Sequence, residues 1–186
     1  NDVASSLGLS RDPVVAAQDI VHGKPFAIDI GAFGENRWFD YVAAFGLFTN
    51  VPYQTPQVDK RIWGRMAYFF NGVQALGEVH PVHARVSWDG KTVEADIIDG
   101  LVCSTTSVGG FKATRAVGEF GISMNDGLYE VVLIRDIKNL ADFSAVAAKL
   151  LWMDFSDENY FITAQTSAIR FEFDDSVAWT LDGEFA

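Results

Sequence analysis

The chain has 186 residues, 49% of them hydrophobic, with 15 Phe, 5 Trp and 5 Tyr, and a formal net charge of −11. That length and apolar content give one domain with a substantial core and exclude wholesale disorder. The acidity disfavours nucleic acid, whose phosphates need clustered Lys and Arg, and argues against this segment alone gripping an anionic membrane surface.

No apolar run approaches the roughly 20 residues of a membrane-spanning helix. The small, polar opening residues do not read as a signal peptide, and the missing initiator Met points to a piece or processed form of a longer protein. Cys103 is the single cysteine, so no internal disulfide forms, which fits a reducing cytoplasm. Its setting, Leu101-Val102-Cys103-Ser104, reads as a strand with a buried, inert thiol.

In chain order, Asp12 and Pro13 form an N-cap and first helical position, and an amphipathic run follows to about Gly23. Phe26, Ile28 and Ile30 alternate as a half-buried strand with Asp29 on the opposite face. A second strand is predicted over residues 37–45. Residues 46–59 hold Gly46, Asn50, Pro52 and Pro56 and read as a loop. A helix is predicted over residues 59–76, with Ile62, Met66, Phe69, Phe70 and Val73 on its apolar side and Gly77 as its C-terminal cap.

From His80 the period becomes two. Val82, Ala84, Val86 and Trp88 alternate, Asp89-Gly90 turns, and Val93, Ala95 and Ile97 alternate back as a hairpin. Residues 97–105 and 129–135 read as strands, and residues 139–152 as a helix capped by Asn139. Two further strands, residues 160–173 and 177–181, are joined by Asp174-Asp175-Ser176. The pattern predicts a mainly β (α+β) single domain over 1–186: an antiparallel β-sandwich with a few peripheral helices.

Few side chains suggest chemistry. His80 and His83 are three apart in a strand, so they face opposite sides and cannot share an ion. His22 suits the negative end of a helix dipole. There is no glycine-flanked Ser elbow and no P-loop spacing. Val108-Gly109-Gly110-Phe111 is a turn, or a place where a ligand approaches bare backbone. Met124-Asn125-Asp126-Gly127-Leu128 is favourable β-turn chemistry; its alternative is an oxygen cage for Mg²⁺ or Ca²⁺.

The tail, Leu181-Asp182-Gly183-Glu184-Phe185-Ala186, holds two carboxylates around a glycine. Only two residues follow Glu184, so no returning strand is expected. If the preceding strand continues, Asp182 and Glu184 point to one face beside exposed backbone. The local pattern alone reads more simply as a solvated acidic end.

Taken in order, the segments resemble a family. Asn1-Asp2-Val3-Ala4-Ser5-Ser6-Leu7-Gly8 is similar to the Asn-Asp-Phe-Ala-Arg-x-Leu-Gly segment of bacterial diacylglycerol kinase-type lipid kinases, whose relatives include sphingosine and ceramide kinases. Phe45-Gly46 with Gly64-Arg65-Met66-Ala67-Tyr68 resembles the family's Gly-x-x-Ala-Tyr helix. Gly109-Gly110, Asp126-Gly127-Leu128 and Asp182-Gly183-Glu184 resemble its Gly-Gly, Asp-Gly-Leu and Asp-Gly-Glu segments. The resemblance covers nearly the whole chain but only the family's second, β-sandwich domain; the Gly-Gly-Asp-Gly-Thr of its nucleotide-binding domain is absent. Val3, Ser5 and the lack of an Asn shortly before Gly109 depart from the pattern.

The resemblance implies the C-terminal, substrate-side domain of an ATP-dependent lipid kinase acting at the cytoplasmic membrane face, inactive without the missing ATP-binding half. A lipid hydroxyl, such as that of diacylglycerol, would attack the γ-phosphate of ATP, with Mg²⁺ offsetting charge. Asp182 would be the base, with Glu184 supporting it or engaging Mg²⁺, a second carboxylate raising the pKa of one of the pair. Asn1 and Asp2 would join the network near the catalytic metal. Asp126, with the carbonyls of Ser123 and Leu128, would hold a structural Mg²⁺. Partners implied are the lipid substrate and transient membrane contact, with no nucleic acid and room for a homodimer. The aromatic stretch 63–70 suits either a lipid cleft or ordinary core. The rival reading is a non-catalytic β-sandwich module that binds a lipid or a protein.

Overall fold

The computed structural model describes residues 2–46, 80–104, 107–108, 111–112 and 123–186. The expected helix at 59–76, the aromatic stretch 63–70, Gly109-Gly110 and Asn1 lie outside these residues. Two helices open the chain, α1 (Asp2–Ser6) and α2 (Pro13–His22). Asp12 caps α2 as expected, its carboxylate accepting from the N–H groups of Val14 (2.8 Å) and Val15 (3.3 Å). None of the side chains of α2 is buried; Val14, Ile20 and Val21 are each about two-thirds or more exposed.

The chain is mainly β, built on one eight-stranded antiparallel sheet. Its spine is β5 (Lys91–Cys103), which pairs with β4 (Val82–Trp88) through the Asp89-Gly90 turn. Asp89 and Gly90 both have positive φ (45° and 74°), the backbone of a two-residue hairpin loop that matches strand twist. The expected break after Ile97 does not occur. Instead β5 runs on through a bulge between Ile97 and Asp99 and then pairs with β3 (Val42–Gly46) and β8 (Tyr129–Arg135). A bulge bends a strand and increases its twist.

The bend lets one sheet act as both layers of a sandwich. On one arm β10 (Arg170–Phe173) pairs with β4; on the other lie β3, β11 (Trp179–Leu181), β12 (Glu184–Phe185), β8 and β9 (Phe161–Thr166). Phe45 of β3, fully buried, meets Phe171 and Phe173 of β10 at ring distances of 5.7 and 5.2 Å, and Trp179 at 4.7 Å. Gly100 lies beneath the same ring, where a Cβ would stand 2.2 Å from Phe45 Cε1. Three aromatic neighbours keep Phe45 from yielding. Gly100→Ala should therefore cost about 1–3 kcal/mol of stability; an unchanged denaturant midpoint would show that the ring can move.

The outer face of β8 and β9 is covered by α3 (Leu140–Leu151). Asn139 caps it as predicted, accepting from Ala141 and Asp142 N–H at 2.9 and 3.0 Å. Phe143, Val146, Ala147 and Leu150 pack on Ile98, Val132, Ile134 and Phe161.

Other expected elements are corrected. Residues 26–30 are not in a ladder, and the first strand is β1 (Gly31–Phe33). The strand predicted over 37–45 is two, β2 (Arg37–Phe39) and β3, with a corner at Asp40-Tyr41. The strand predicted over 160–173 is β9 and β10, interrupted where Thr166 Oγ1 turns to the carbonyl of Ala168 at 3.0 Å. Two short ribbons complete the description: β1 with β2, and β6 (Ser107–Val108) with β7 (Phe111–Lys112).

Candidate functional site

The tail is not a continuing strand. Two residues suffice to pair: Leu181 sits opposite Glu184, Thr180 opposite Phe185, and Ala186 N–H donates to the Trp179 carbonyl at 2.9 Å. Asp182 (φ 52°) and Gly183 (φ 88°) form the turn, so the expectation of no returning strand is overturned. Asp182 and Glu184 therefore do not share one strand face. Glu184 is exposed on the returning strand.

The turn projects the Asp182 carboxylate into the Asp40-Tyr41 corner. Oδ2 accepts from Asp40 N–H at 3.0 Å, and Oδ1 accepts from both Tyr41 and Val42 N–H at 2.9 Å. Asp182 N–H returns a bond to the Val42 carbonyl at 2.8 Å. The corner is fastened to β5 by Ser104, whose hydroxyl donates to the Asp40 carbonyl at 3.4 Å. A carboxylate offers about four lone-pair positions, and three N–H donors leave one, on Oδ2. Beside it stands the Asp40 carboxyl. Burial, then the charge of Asp182 and a hydrogen bond to its side chain, raise the Asp40 carboxyl above its ordinary value. Asp182 thus has a carboxyl companion, but it is Asp40 rather than Glu184.

The Met124–Leu128 loop is organised by a residue that sequence reasoning set on the outside of a strand. Asp29 N–H donates to the Met124 carbonyl at 2.7 Å, and Asp29 Oδ2 accepts from Gly127 N–H at 2.8 Å. Asp126 Oδ1 caps Leu128 N–H at 3.1 Å, and Ser123 Oγ donates to Asn125 Oδ1 at 2.9 Å. Among the described residues no three His, Cys, Asp or Glu side chains converge on a metal position. The loop's remaining donors are carboxylate, amide and carbonyl oxygens, a set that suits a hard cation such as Mg²⁺.

Tyr129, which follows this loop, connects the two places. Its ring packs on Phe39, the residue before Asp40, at 5.4 Å. Its hydroxyl is buried with no hydrogen-bond partner. Burial first, then the charges of Asp29 and Asp182, raise its pKa, so it stays a donor.

The next residue, Glu130, faces the other side of the sheet at 1% exposure. Gln165 Nε2 donates to its Oε1 at 3.1 Å, and Oε2 has no partner. Burial pushes its carboxyl up to about 7; the Gln165 bond pulls the other way, and the charge of Asp126 adds a smaller upward push.

The remaining sequence candidates fall elsewhere. His83 pairs with Asp96 at 2.9 Å on an exposed face, and Cys103 is a buried free thiol. The side chain of Asp2 lies outside what is described.

No protein-family model matches the chain. A diacylglycerol kinase of Bacillus subtilis (strain 168) is 29% identical over 186 residues, all of this chain and 59% of the relative. A diacylglycerol kinase of Staphylococcus aureus (strain JH9) is 26% identical over 185 residues, again spanning the chain and 57% of the relative. The chain is homologous to diacylglycerol kinases. It spans a little under three-fifths of the length of these kinases. A solved diacylglycerol kinase structure from Bacillus anthracis str. Sterne superposes on the whole chain with a TM-score of 0.67 at 15% identity, covering 57% of that chain. A second solved chain from that organism gives 0.75 at 17% identity, over 99% of this chain and 59% of its own. At such identities the superpositions speak to the fold alone, which this chain shares with those solved chains.

Proposed function

We propose that this chain is the C-terminal, acceptor-side domain of an ATP-dependent lipid kinase that phosphorylates a lipid hydroxyl such as that of diacylglycerol. The observation that carries this reading is the Asp182 carboxylate, fixed by three backbone N–H groups in a chain homologous to diacylglycerol kinases. Such anchoring sets the orientation of an acceptor before any ligand arrives, which is what positioning catalysis requires. The lone pair left on Oδ2 takes the proton of the attacking hydroxyl as its oxygen bonds to the γ-phosphorus and the bond to the departing ADP oxygen breaks. Asp40 is the second member of the proton-holding pair. Glu184 is exposed on the returning strand, where it could support the base or engage Mg²⁺.

ATP is a co-substrate held mainly by residues outside this chain. Mg²⁺ would supply charge neutralisation for the phosphates, and Asn1 and Asp2 would join the network around it. Asp126, Ser123 and Leu128 would hold a structural Mg²⁺ in the loop that Asp29 fastens.

The acceptor reaches the site from a membrane's cytoplasmic face. No helix among the described residues is long and apolar enough to cross a bilayer. Exposed Val14, Ile20, Val21, Phe26, Ile30 and Trp38 support surface contact instead. The test is the full-length protein with ATP, Mg²⁺ and 1,2-dioctanoylglycerol in mixed micelles. Phosphorylated lipid is the expected product; its absence across a panel of diacylglycerol, polyprenol and sphingoid acceptors would favour the non-catalytic module.

A further inference from the structure

We propose that the outer face of the β1–β2 ribbon, formed by Ile30, Ala32 and Trp38, is the surface on which an acyl chain of the acceptor lies while its hydroxyl reaches Asp182; this rests on the kinase reading above. The ribbon's register pairs Gly31 with Phe39 and Ala32 with Trp38. Phe39 turns to the core, where it is buried and packs on Tyr129. Side chains alternate along a strand, so Trp38 and Asp40 leave on the opposite, outer face. Trp38 is 64% exposed there, with exposed Ala32 as its cross-strand neighbour. Ile30, 59% exposed, precedes the Gly31–Phe39 pair and so stands where the next step of the register meets Asp40. The result is an open apolar strip that ends at the corner whose Asp40 N–H holds Asp182 Oδ2 at 3.0 Å. Trp38 and Asp40 are two residues apart, about 7 Å of extended chain.

The strip selects a hydrocarbon. Its three side chains carry no charge, and the indole N–H is their one polar group. Laying an alkyl chain over them removes apolar area from water on both partners. A nucleotide base could stack on the indole too, but its phosphates would then lie toward the Asp40 and Asp182 carboxyl groups, which repel them. A membrane contact needs only exposed apolar surface, whereas a chain-binding strip must lead to the reacting oxygen, and this one does. In a diacylglycerol the neighbouring ester stands a few bonds from the free hydroxyl, so a hydroxyl at Asp182 brings that chain's first methylenes to the strip.

The experiment measures acceptor KM against chain length in the full-length protein. The acceptors are 1,2-dibutyrylglycerol and 1,2-dihexanoylglycerol, held below their aggregation concentrations so that no membrane or micelle takes part. A methylene taken fully from water tightens binding about fourfold, and one lying against a single face about twofold. With one chain on the strip, its two further methylenes should make the wild-type KM for the hexanoyl acceptor about fourfold lower. Trp38→Thr keeps a strand-forming residue at an exposed position and should bring the two KM values within about twofold of each other, with the KM for ATP unmoved. Trp152→Thr, at the exposed end of α3, should keep the wild-type ratio. Equal wild-type KM values for the two acceptors, or a wild-type ratio retained in Trp38→Thr, would overturn the assignment; if that variant also loses binding to dioleoylphosphatidylglycerol vesicles, the strip is a membrane contact instead. A raised KM for ATP would overturn it as well, in favour of base stacking. If the wild-type protein transfers no phosphate to any acceptor, the kinase reading falls by itself. Weaker calorimetric binding of dihexanoylglycerol by Trp38→Thr would then still uphold the strip, and unchanged binding would overturn it.

Discussion

Asp182→Asn in the full-length protein should lower kcat about 10²- to 10⁴-fold, the range for loss of a positioned general base. The substitution also has a structural cost. The amide oxygen can still accept from Tyr41 and Val42 N–H, but the amide nitrogen then meets Asp40 N–H, donor against donor, where Oδ2 now accepts at 3.0 Å. Losing that bond should cost about 1–3 kcal/mol. Loss of turnover alone would therefore not separate chemistry from a loosened corner. Ser104→Ala makes the separation, because it frees the Asp40 carbonyl and loosens the same corner without touching the Asp182 carboxylate. If Ser104→Ala lowers Tm while kcat stays within tenfold of wild type, and Asp182→Asn is inactive, the base assignment stands. An Asp182→Asn variant turning over within tenfold of wild type would sink it.

What the sequence made legible follows from the range of the interactions. The β4–β5 hairpin rests on period-two alternation and on Asp89-Gly90, all within a few residues, and it is present as read. The Asn139 cap and the inward face of α3 are equally local. The site's organisation is not local. Asp182 meets its N–H donors 140 to 142 residues away in the chain, and Asp29 meets Gly127 across 98. No periodicity in residues 26–30 could reveal that Asp29 leaves the strand pattern to clamp a distant loop.

The tail fails for a different reason. Hairpins are usually recognised by two alternating runs, and here the returning strand is only Glu184-Phe185. Yet Asp-Gly at 182–183 repeats the turn chemistry of 89–90, and both pairs take positive φ. The turn residues were the readable signal; the short return obscured it. The corner at Asp40-Tyr41 hides in the same way, within apolar residues that read as one strand until the N–H groups of Asp40, Tyr41 and Val42 are seen turned to one carboxylate.

Glu130→Gln should remove a pH dependence of folding stability. The Glu130 carboxyl stands at about 7 in the folded chain against an ordinary 4.5, with burial as the main cause. The folded state therefore holds a proton that the unfolded chain has released between these values. Its stabilising effect is fully present below pH 4.5 and is lost as pH rises through about 7. Across that window wild-type stability should fall by about 3 kcal/mol, at 1.36 kcal/mol per unit. Gln cannot ionise, so the variant's stability should be flat in the same window. Its amide oxygen keeps the Gln165 bond, while its nitrogen is left buried without an acceptor at the place of Oε2, costing about 1–3 kcal/mol. Glu130→Gln should therefore be the less stable protein at pH 5 and equal to or more stable than wild type at pH 8. Urea midpoints at the two pH values measure the crossing, and parallel curves would mean that Glu130 ionises without penalty. Glu130 follows Tyr129 on β8, so the alkaline loss should open that strand first. Faster amide exchange over Tyr129–Arg135 than over β4 at pH 8, absent in Glu130→Gln, would tie the ionisation of one buried carboxyl to the strand that leads out of the Met124–Leu128 loop.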